Sequence, residues 1–405
     1  MMKKHSIKVI LLSSIGGMLE FYDFVIFAIY AAIIGTLFFP STSESYAILY
    51  GFLSFGVGYL ARPIGGIFFG HLGDKYGRKL TFSITIFIMG VSTLIIGLLP
   101  SYESIGLSAT ILFILFRILQ GMAIGGELSG AITFAAEHIP DKKRLAIGIL
   151  YAFVNIGILL ASLVYALTFD LSYGWRLAAI AGGMTAILSY FIRKSLLETP
   201  EFLACSKVRY PIISLFKWHS SHLISALCLI SYLAVIVSLG FLFIPSYLKL
   251  IHYPADKIGI ISSLGMLYFT ISTLLFAFFA DKIKQPKLYL SLFILATTIL
   301  SFAIFSGFQS KSFNTTYYYI FALLCGPITV FIPSMITELF TTQVKYSGIG
   351  ISYNLAFAIF GGLSPVIATI LLTTSSAKSL LHSPASIILL CAFLSFFALK
   401  SIREK

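Results

Sequence analysis

Five ionisable residues stand where an otherwise apolar sequence gives them no water: Glu20, Asp23, Arg62, Arg117 and Glu127. Each lies within an apolar run of the roughly 20 residues needed to cross a bilayer core. A charge at that depth costs at least ~2.5 kcal/mol and persists only when it is paired or used. Glu20 and Asp23 are three apart, so a helix puts them on one face. An arginine stays charged, whereas a desolvated carboxylate can titrate near neutral pH. Two carboxylates facing one guanidinium therefore form a proton site in which protonation releases the arginine. Asp23, Glu20 and Glu127 are the candidate coupling acids, and Arg117 and Arg62 could hold a substrate carboxylate in their planar forks. Helix rise puts Glu20 ~18 Å past Lys8 and Arg117 ~15 Å in from the opposite end of its own span, so the two can sit level. The competing reading is a fixed network that only ties helices together.

A second set of polar residues falls outside the apolar runs. Gly70-His71-Leu72-Gly73-Asp74-Lys75-Tyr76-Gly77-Arg78-Lys79 joins turn-permitting glycines to an acid and three cations, a pattern suited to a conformational latch built on Asp74, Lys75, Arg78 and Lys79. Glu137 and Glu338 precede Arg144 and Lys345 at the ends of apolar runs and are candidate gating ion pairs. In the second half, Asn354 is the polar residue singled out for substrate. The tyrosines Tyr232, Tyr247, Tyr268 and Tyr353 are read as packing or interfacial residues. Cys205, Cys228, Cys325 and Cys391 are scattered without metal-ligand or disulfide spacing and carry no expected function. No zinc-ligand cluster, nucleophile–base pair or phosphate-binding glycine loop is present in the sequence, so neither an enzyme, a cofactor nor ATP as energy source is expected.

The elements that position these residues follow from composition. Of 405 residues, 58% are hydrophobic and 11% charged; mean hydropathy is +0.97. That balance excludes a water-soluble core. Twelve apolar runs are expected as transmembrane helices, near 9–39, 46–69, 80–99, 107–136, 145–169 and 175–192, then 223–248, 258–280, 288–308, 317–339, 346–372 and 385–399. Of the 28 Lys and Arg, 21 fall in alternate loops on one side, 5 on the other and 2, Arg62 and Arg117, inside. The excess of basic residues on one side places both termini and the 193–222 loop in the cytoplasm and accounts for the net charge of +13 without nucleic acid. The first span lacks a small-residue cleavage site and is read as uncleaved.

An internal repeat organises the runs. Glu137, Arg144, Gly148, Ile149 and Tyr151 are echoed by Glu338, Lys345, Gly350, Ile351 and Tyr353, and Asp74-Lys75 by Asp281-Lys282. Two six-helix halves follow, 1–192 and 223–405, joined by the linker loop 193–222. Parallel repeats of this kind permit alternating access to a site between them, which favours a carrier over a channel or membrane enzyme.

The segment 70–79 resembles the signature loop of the major facilitator superfamily, and Arg117-Ile118-Leu119-Gln120-Gly121 resembles its Arg-x-x-Gln-Gly motif. Glu20-Phe21-Tyr22-Asp23-Phe24, Arg62-Pro63-Ile64-Gly65-Gly66, Gly125-Gly126-Glu127, Gly174-Trp175-Arg176, Glu198-Thr199-Pro200-Glu201-Phe202 and Tyr353-Asn354 together resemble its metabolite:proton symporters. Those include proline/betaine, 2-oxoglutarate, citrate and shikimate carriers. The resemblance implies an all-α membrane protein with twelve helices in two pseudo-symmetric halves, monomeric in a bacterial inner membrane. It also implies proton-coupled uptake of a small organic acid, amino acid or zwitterion, with uniport or exchange as the alternative. By resemblance, Asp23 and Arg117 match the coupling carboxylate and arginine, and Glu20 and Glu127 the additional acids of the metabolite branch. The chain departs from the pattern at Phe21, usually Trp, which weakens a quaternary-ammonium cage, and at the degenerate second copy, Asp281 to Pro286. A cluster of three acids and two arginines is formally minus one, which suits a zwitterion or monoacid better than a tricarboxylate.

Overall fold

The computed structural model describes residues 4–40, 44–306, 312–374 and 383–402. Met1 to Lys3 and the end of the ninth expected span, 307–308, lie outside them. Twelve helical segments carry the chain: α1 (Lys4–Ile29), α2 (Glu44–Tyr76), α3 (Arg78–Leu98), α4 (Leu107–His138), α5 (Lys143–Thr168), α6 (Gly174–Arg193), α7 (Ser220–Val237), α8 (Ala255–Ala280), α9 (Pro286–Phe305), α10 (Thr315–Leu339), α11 (Lys345–Ala356) and α12 (Ala385–Ser401). In ten places the described helices are long and apolar enough to cross a membrane; the glycine-rich α2 and the 17-residue α12 supply the remaining two. Helix is the expected solution, because a bilayer core offers backbone groups no water and each must be satisfied within its own segment. The spans are not all continuous. The first breaks at Tyr30 before Ala31–Phe38. The seventh and eleventh widen into π-helical turns, Ser238–Leu242 and Phe357–Gly362, before Ile244–Leu250 and Ser364–Thr374.

The chain forms two compact units. The first comprises Met1–His138, Phe153–Ser214 and Thr342–Ile351; the second comprises Ile139–Ala152, Leu215–Thr341 and Ser352–Lys405. Each unit repeats one packing plan. In the first, α2 lies along α4, α3 packs on both α4 and α6, and α1 packs on α4 and α6. In the second, α8 lies along α10, α9 packs on α10 and α12, and α7 packs on α10 and α12. Each of these pairings recurs six helices later, which is the internal repeat expressed as structure. Both α4 and α10 are central: α4 is buried continuously from Ala123 to Glu137 and α10 from Cys325 to Thr337.

The segment expected as a loop after the second span is instead helical to Tyr76, and α3 begins at Arg78. A single residue, Gly77, makes the reversal at φ 129°, a conformation only glycine adopts without strain. A Cβ there would also lie 2.3 Å from a Glu198 carboxylate oxygen.

Helices α2 and α4 meet backbone to backbone through small residues, the usual contact between membrane helices. A methyl on Gly125 would lie 2.2 Å from the Arg62 carbonyl oxygen, and one on Gly121 would lie 2.1 Å from that of Gly58. Gly121→Val should therefore cost about 1–3 kcal/mol as overpacking, measured as a lower apparent Tm of detergent-purified protein. An unchanged Tm would contradict this contact.

Candidate functional site

Six buried charges of the first unit, Glu20, Asp23, Arg62, Arg117, Glu127 and Arg193, gather on α1, α2, α4 and α6. Asp23, 3% exposed, accepts hydrogen bonds from Thr93 Oγ1 of α3 and from Gln120 Nε2 at 3.0 Å. Arg117 Nη1 donates to Gln120 Oε1 at 2.9 Å, so Gln120 links the arginine to the carboxylate. The Arg117 guanidinium lies 4.7 Å from the Phe27 ring centre, and that of Arg62 lies 5.3 Å from Tyr59 and 6.0 Å from Phe24. Aromatic faces of this kind offset part of the desolvation of a buried cation.

Glu127 is held differently. Arg193 Nη2 donates to its Oε1 at 2.6 Å and Thr85 Oγ1 to its Oε2 at 2.7 Å. Arg193 also donates to the Phe82 carbonyl at 2.8 Å and stacks 3.6 Å from the Phe82 ring centre. The pair nests against α1 at Gly16, where a methyl would lie 1.4 Å from Arg193 Nη2. One turn along α1, Glu20 is fully buried, and among the described residues neither of its carboxylate oxygens has a hydrogen-bond partner. The charges of Glu127, Arg62 and Arg193 act on it.

Arg193 was placed by the sequence in the cytoplasmic loop. It is instead wholly buried at the end of α6. With it, three carboxylates face three guanidiniums, so the cluster is formally neutral rather than minus one. Thr93 and Gln120 were not singled out as site residues; as uncharged side chains they carry no penalty that would flag them.

The latch residues divide. Arg78 forks onto Glu137, Nε to Oε2 at 3.1 Å and Nη2 to Oε1 at 3.2 Å, pairs with Asp74 at 3.1 Å, and donates to the Thr342 carbonyl. Asp74 accepts the backbone N–H groups of Tyr346 and Ser347 at 3.1 and 2.8 Å, a carboxylate on the positive end of α11. Lys345 Nζ lies 3.6 Å from Glu137 and 2.7 Å from Glu201. The linker closes the cluster: Thr199 Oγ1 donates to Glu137 at 2.6 Å, and the Phe202 ring centre lies 4.5 Å from the Arg78 guanidinium. Lys75 reaches instead toward the Tyr76 ring, and Lys79 joins through its backbone N–H to Glu198. In the second unit the pattern repeats. Asp281 accepts the N–H groups of Arg144 and Leu145 at 3.1 and 3.0 Å, Arg144 donates to the carbonyls of Ala280 and Ile283, and Glu338 pairs with Lys143 at 2.5 Å. Asn354, 2% exposed, also belongs to the second unit. Tyr232 and Tyr247 spend their hydroxyls on neighbouring helices, Tyr232 on Thr297 and Thr298 and Tyr247 on the Ile304 carbonyl.

The sequence profile of the Major Facilitator Superfamily matches residues 14–365. The chain belongs to this superfamily. Its members are transporters and not enzymes. A Staphylococcus aureus relative named "Putative proline/betaine transporter" is 32% identical over 390 residues, covering 91% of this chain and 83% of its own. The "Shikimate transporter" of Escherichia coli is 31% identical over 386 residues, covering 88% and 86%. Among solved structures, the proton:xylose symporter XylE superposes with a TM-score of 0.73 at 15% identity over 98% of this chain and 94% of its own. The human organic anion transporter MFSD10 gives 0.72 at 14% identity, over 97% and 100%. These superfamily transporters share the all-helical twelve-span fold.

The Glu127–Arg193 pair makes a thermodynamic prediction. Arg193→Gln leaves a buried carboxylate without its partner and should cost about 3–5 kcal/mol. Adding Glu127→Gln should recover much of that loss, since the pair is then removed together. Thermal melts of the wild type, both single variants and the double variant would measure the coupling; additive losses would contradict a direct pair.

Proposed function

We propose that this transporter couples inward movement of a small organic acid, amino acid or zwitterion to protons across a bacterial inner membrane, as a monomer with both termini cytoplasmic. The observation carrying this reading is the contrast among the three acids. Glu127 is tied to Arg193 and Thr85, whereas Asp23 reaches Arg117 through Gln120 and, among the described residues, neither Glu20 oxygen has a donor. A buried carboxylate without donors is stabilised by taking a proton or meeting a substrate cation. Asp23 and Glu20 are thus the proposed proton carriers, and Glu127 the third acid whose fixed charge sets their field. Arg117 and Arg62 are the proposed anchors for a substrate carboxylate, and Asn354, within the second unit, is proposed separately as a substrate residue.

The formal neutrality of the cluster suits a substrate whose own charges balance or that arrives with a proton. The relatives named as a putative proline/betaine transporter and a shikimate transporter supply the solutes to test first. Asp74, Arg78, Glu137 and Lys345, with Lys75 and Lys79 beside them, are the proposed gate, along with Arg144 and Glu338 in the second unit. Alternating access requires these ion pairs to part in one state and re-form in the other.

The test records external pH beside weakly buffered, de-energised cells making the protein, while proline, betaine, 2-oxoglutarate, citrate and shikimate are added singly. Alkalinisation with one of them is expected. Asp23→Asn should then abolish accumulation of that solute against a gradient while leaving its exchange intact. Labelled uptake without any pH change would favour uniport or exchange.

A further inference from the structure

The stretch between α6 and α7 carries a surface that neither the buried cluster nor the gate uses. From Cys205 to His222 it contains three Lys or Arg residues, Lys207, Arg209 and Lys217, two histidines and no acid. Its helix, Pro211–Trp218, is eight residues long, far short of the roughly 20 that span a bilayer. Leu215 is fully buried, whereas Tyr210, Ile213, Phe216 and Trp218 are 49%, 62%, 52% and 69% exposed. The chain's other tryptophan, Trp175, is 2% exposed. Cations accompany the exposed rings: Lys217 Nζ lies 5.0 Å from the Trp218 ring centre, and the Arg209 guanidinium 5.2 Å from that of Tyr210.

Chain connectivity limits where this surface can be. Trp218 is two residues before Ser220, the first residue of α7, and two extended residues reach only about 7 Å. The helix is therefore pinned at the mouth of a membrane span. There an exposed Trp and Phe meet the headgroup layer, where amphipathic rings concentrate, and long cationic side chains reach the phosphates. An acid-free, basic rim around apolar side chains is complementary to an anionic lipid surface.

We propose that Pro211–Trp218 is an interfacial helix that docks on the anionic headgroup surface of the leaflet from which α7 enters the bilayer. Its rings and Ile213 enter the headgroup boundary, while Lys207, Arg209 and Lys217 bind lipid phosphates. The same linker reaches the gate through Thr199 and Phe202, so the helix anchors that strap to the membrane surface.

The test uses full-length protein reconstituted in phosphatidylcholine vesicles that contain the same fraction of either brominated phosphatidylglycerol or brominated phosphatidylcholine. The Trp218 signal is the fluorescence difference between wild type and Trp218→Phe, which leaves buried Trp175 in place. Quenching should be severalfold stronger with the brominated anionic lipid. It should fall to parity in molar salt, where the screening length is ~3 Å, and in the Lys207→Gln, Arg209→Gln, Lys217→Gln triple variant. Equal quenching by both lipids would overturn the anionic preference. No quenching, with Trp218 emitting as in water, would overturn membrane docking and leave the face to solvent or a protein partner.

Discussion

A bilayer core offers no water to a charge, and the first unit is arranged around that constraint. Three carboxylates and three guanidiniums on α1, α2, α4 and α6 are buried, and each must find its compensation inside the protein. Arg193 and Glu127 find it in each other. Arg117 finds it in Gln120 and the face of Phe27, and Arg62 lies against Tyr59 and Phe24. The glycines follow from the same need: Gly16 leaves room for the Arg193–Glu127 pair, and the glycines of α2 and α4 let backbones touch where large side chains would hold them apart. Glu20 stands out because, among the described residues, both its oxygens go without donors.

Outside the apolar cluster, the two units use one device twice. Asp74 at the end of α2 caps the first turn of α11, and Asp281 just after α8 caps the first turn of α5. A carboxylate on two backbone N–H groups at a helix N-terminus gains from both hydrogen bonding and the helix dipole. Because each capped helix start is remote in sequence from its aspartate, the compact units exchange the short stretches 139–152 and 342–351 relative to a simple division of the chain. In the first unit the capped turn is locked further by the Arg78 fork on Glu137, Lys345 and the linker residues Thr199 and Glu201. The second unit, with Lys284-Gln285 where the first has Gly77-Arg78, has a lighter version. The degeneracy visible at Asp281 to Pro286 is thus a difference in how many contacts hold each capped turn.

Much of this was legible in the sequence for physical reasons. Hydrophobic length marks spans because lipid demands it, and the paired offsets of Asp74 with Asp281 and Arg144 with Lys345 mark the repeat because the same cap is built twice. The charged members of the cluster announce themselves by their cost in an apolar run. Arg193 did not, since an arginine at the end of a span is also what topology favours there, and only its packing against Phe82 distinguishes a buried one. Thr93 and Gln120 escaped because a neutral polar side chain in a membrane helix is cheap enough to be common. The helix running through Asp74 to Tyr76 was misread as a loop because glycine density signals a turn in water, but close helix packing in a membrane.

The central claim, that the buried acids move protons with the solute, is tested most directly in proteoliposomes with an imposed pH gradient and no other ion gradient. The measured quantity is internal accumulation of a labelled solute the protein carries. Accumulation above the external concentration is expected when the outside is acid, collapsing when a protonophore is added. Uptake that stops at equal concentrations whatever the pH gradient would contradict it and leave Glu20, Asp23 and Glu127 as structural charges.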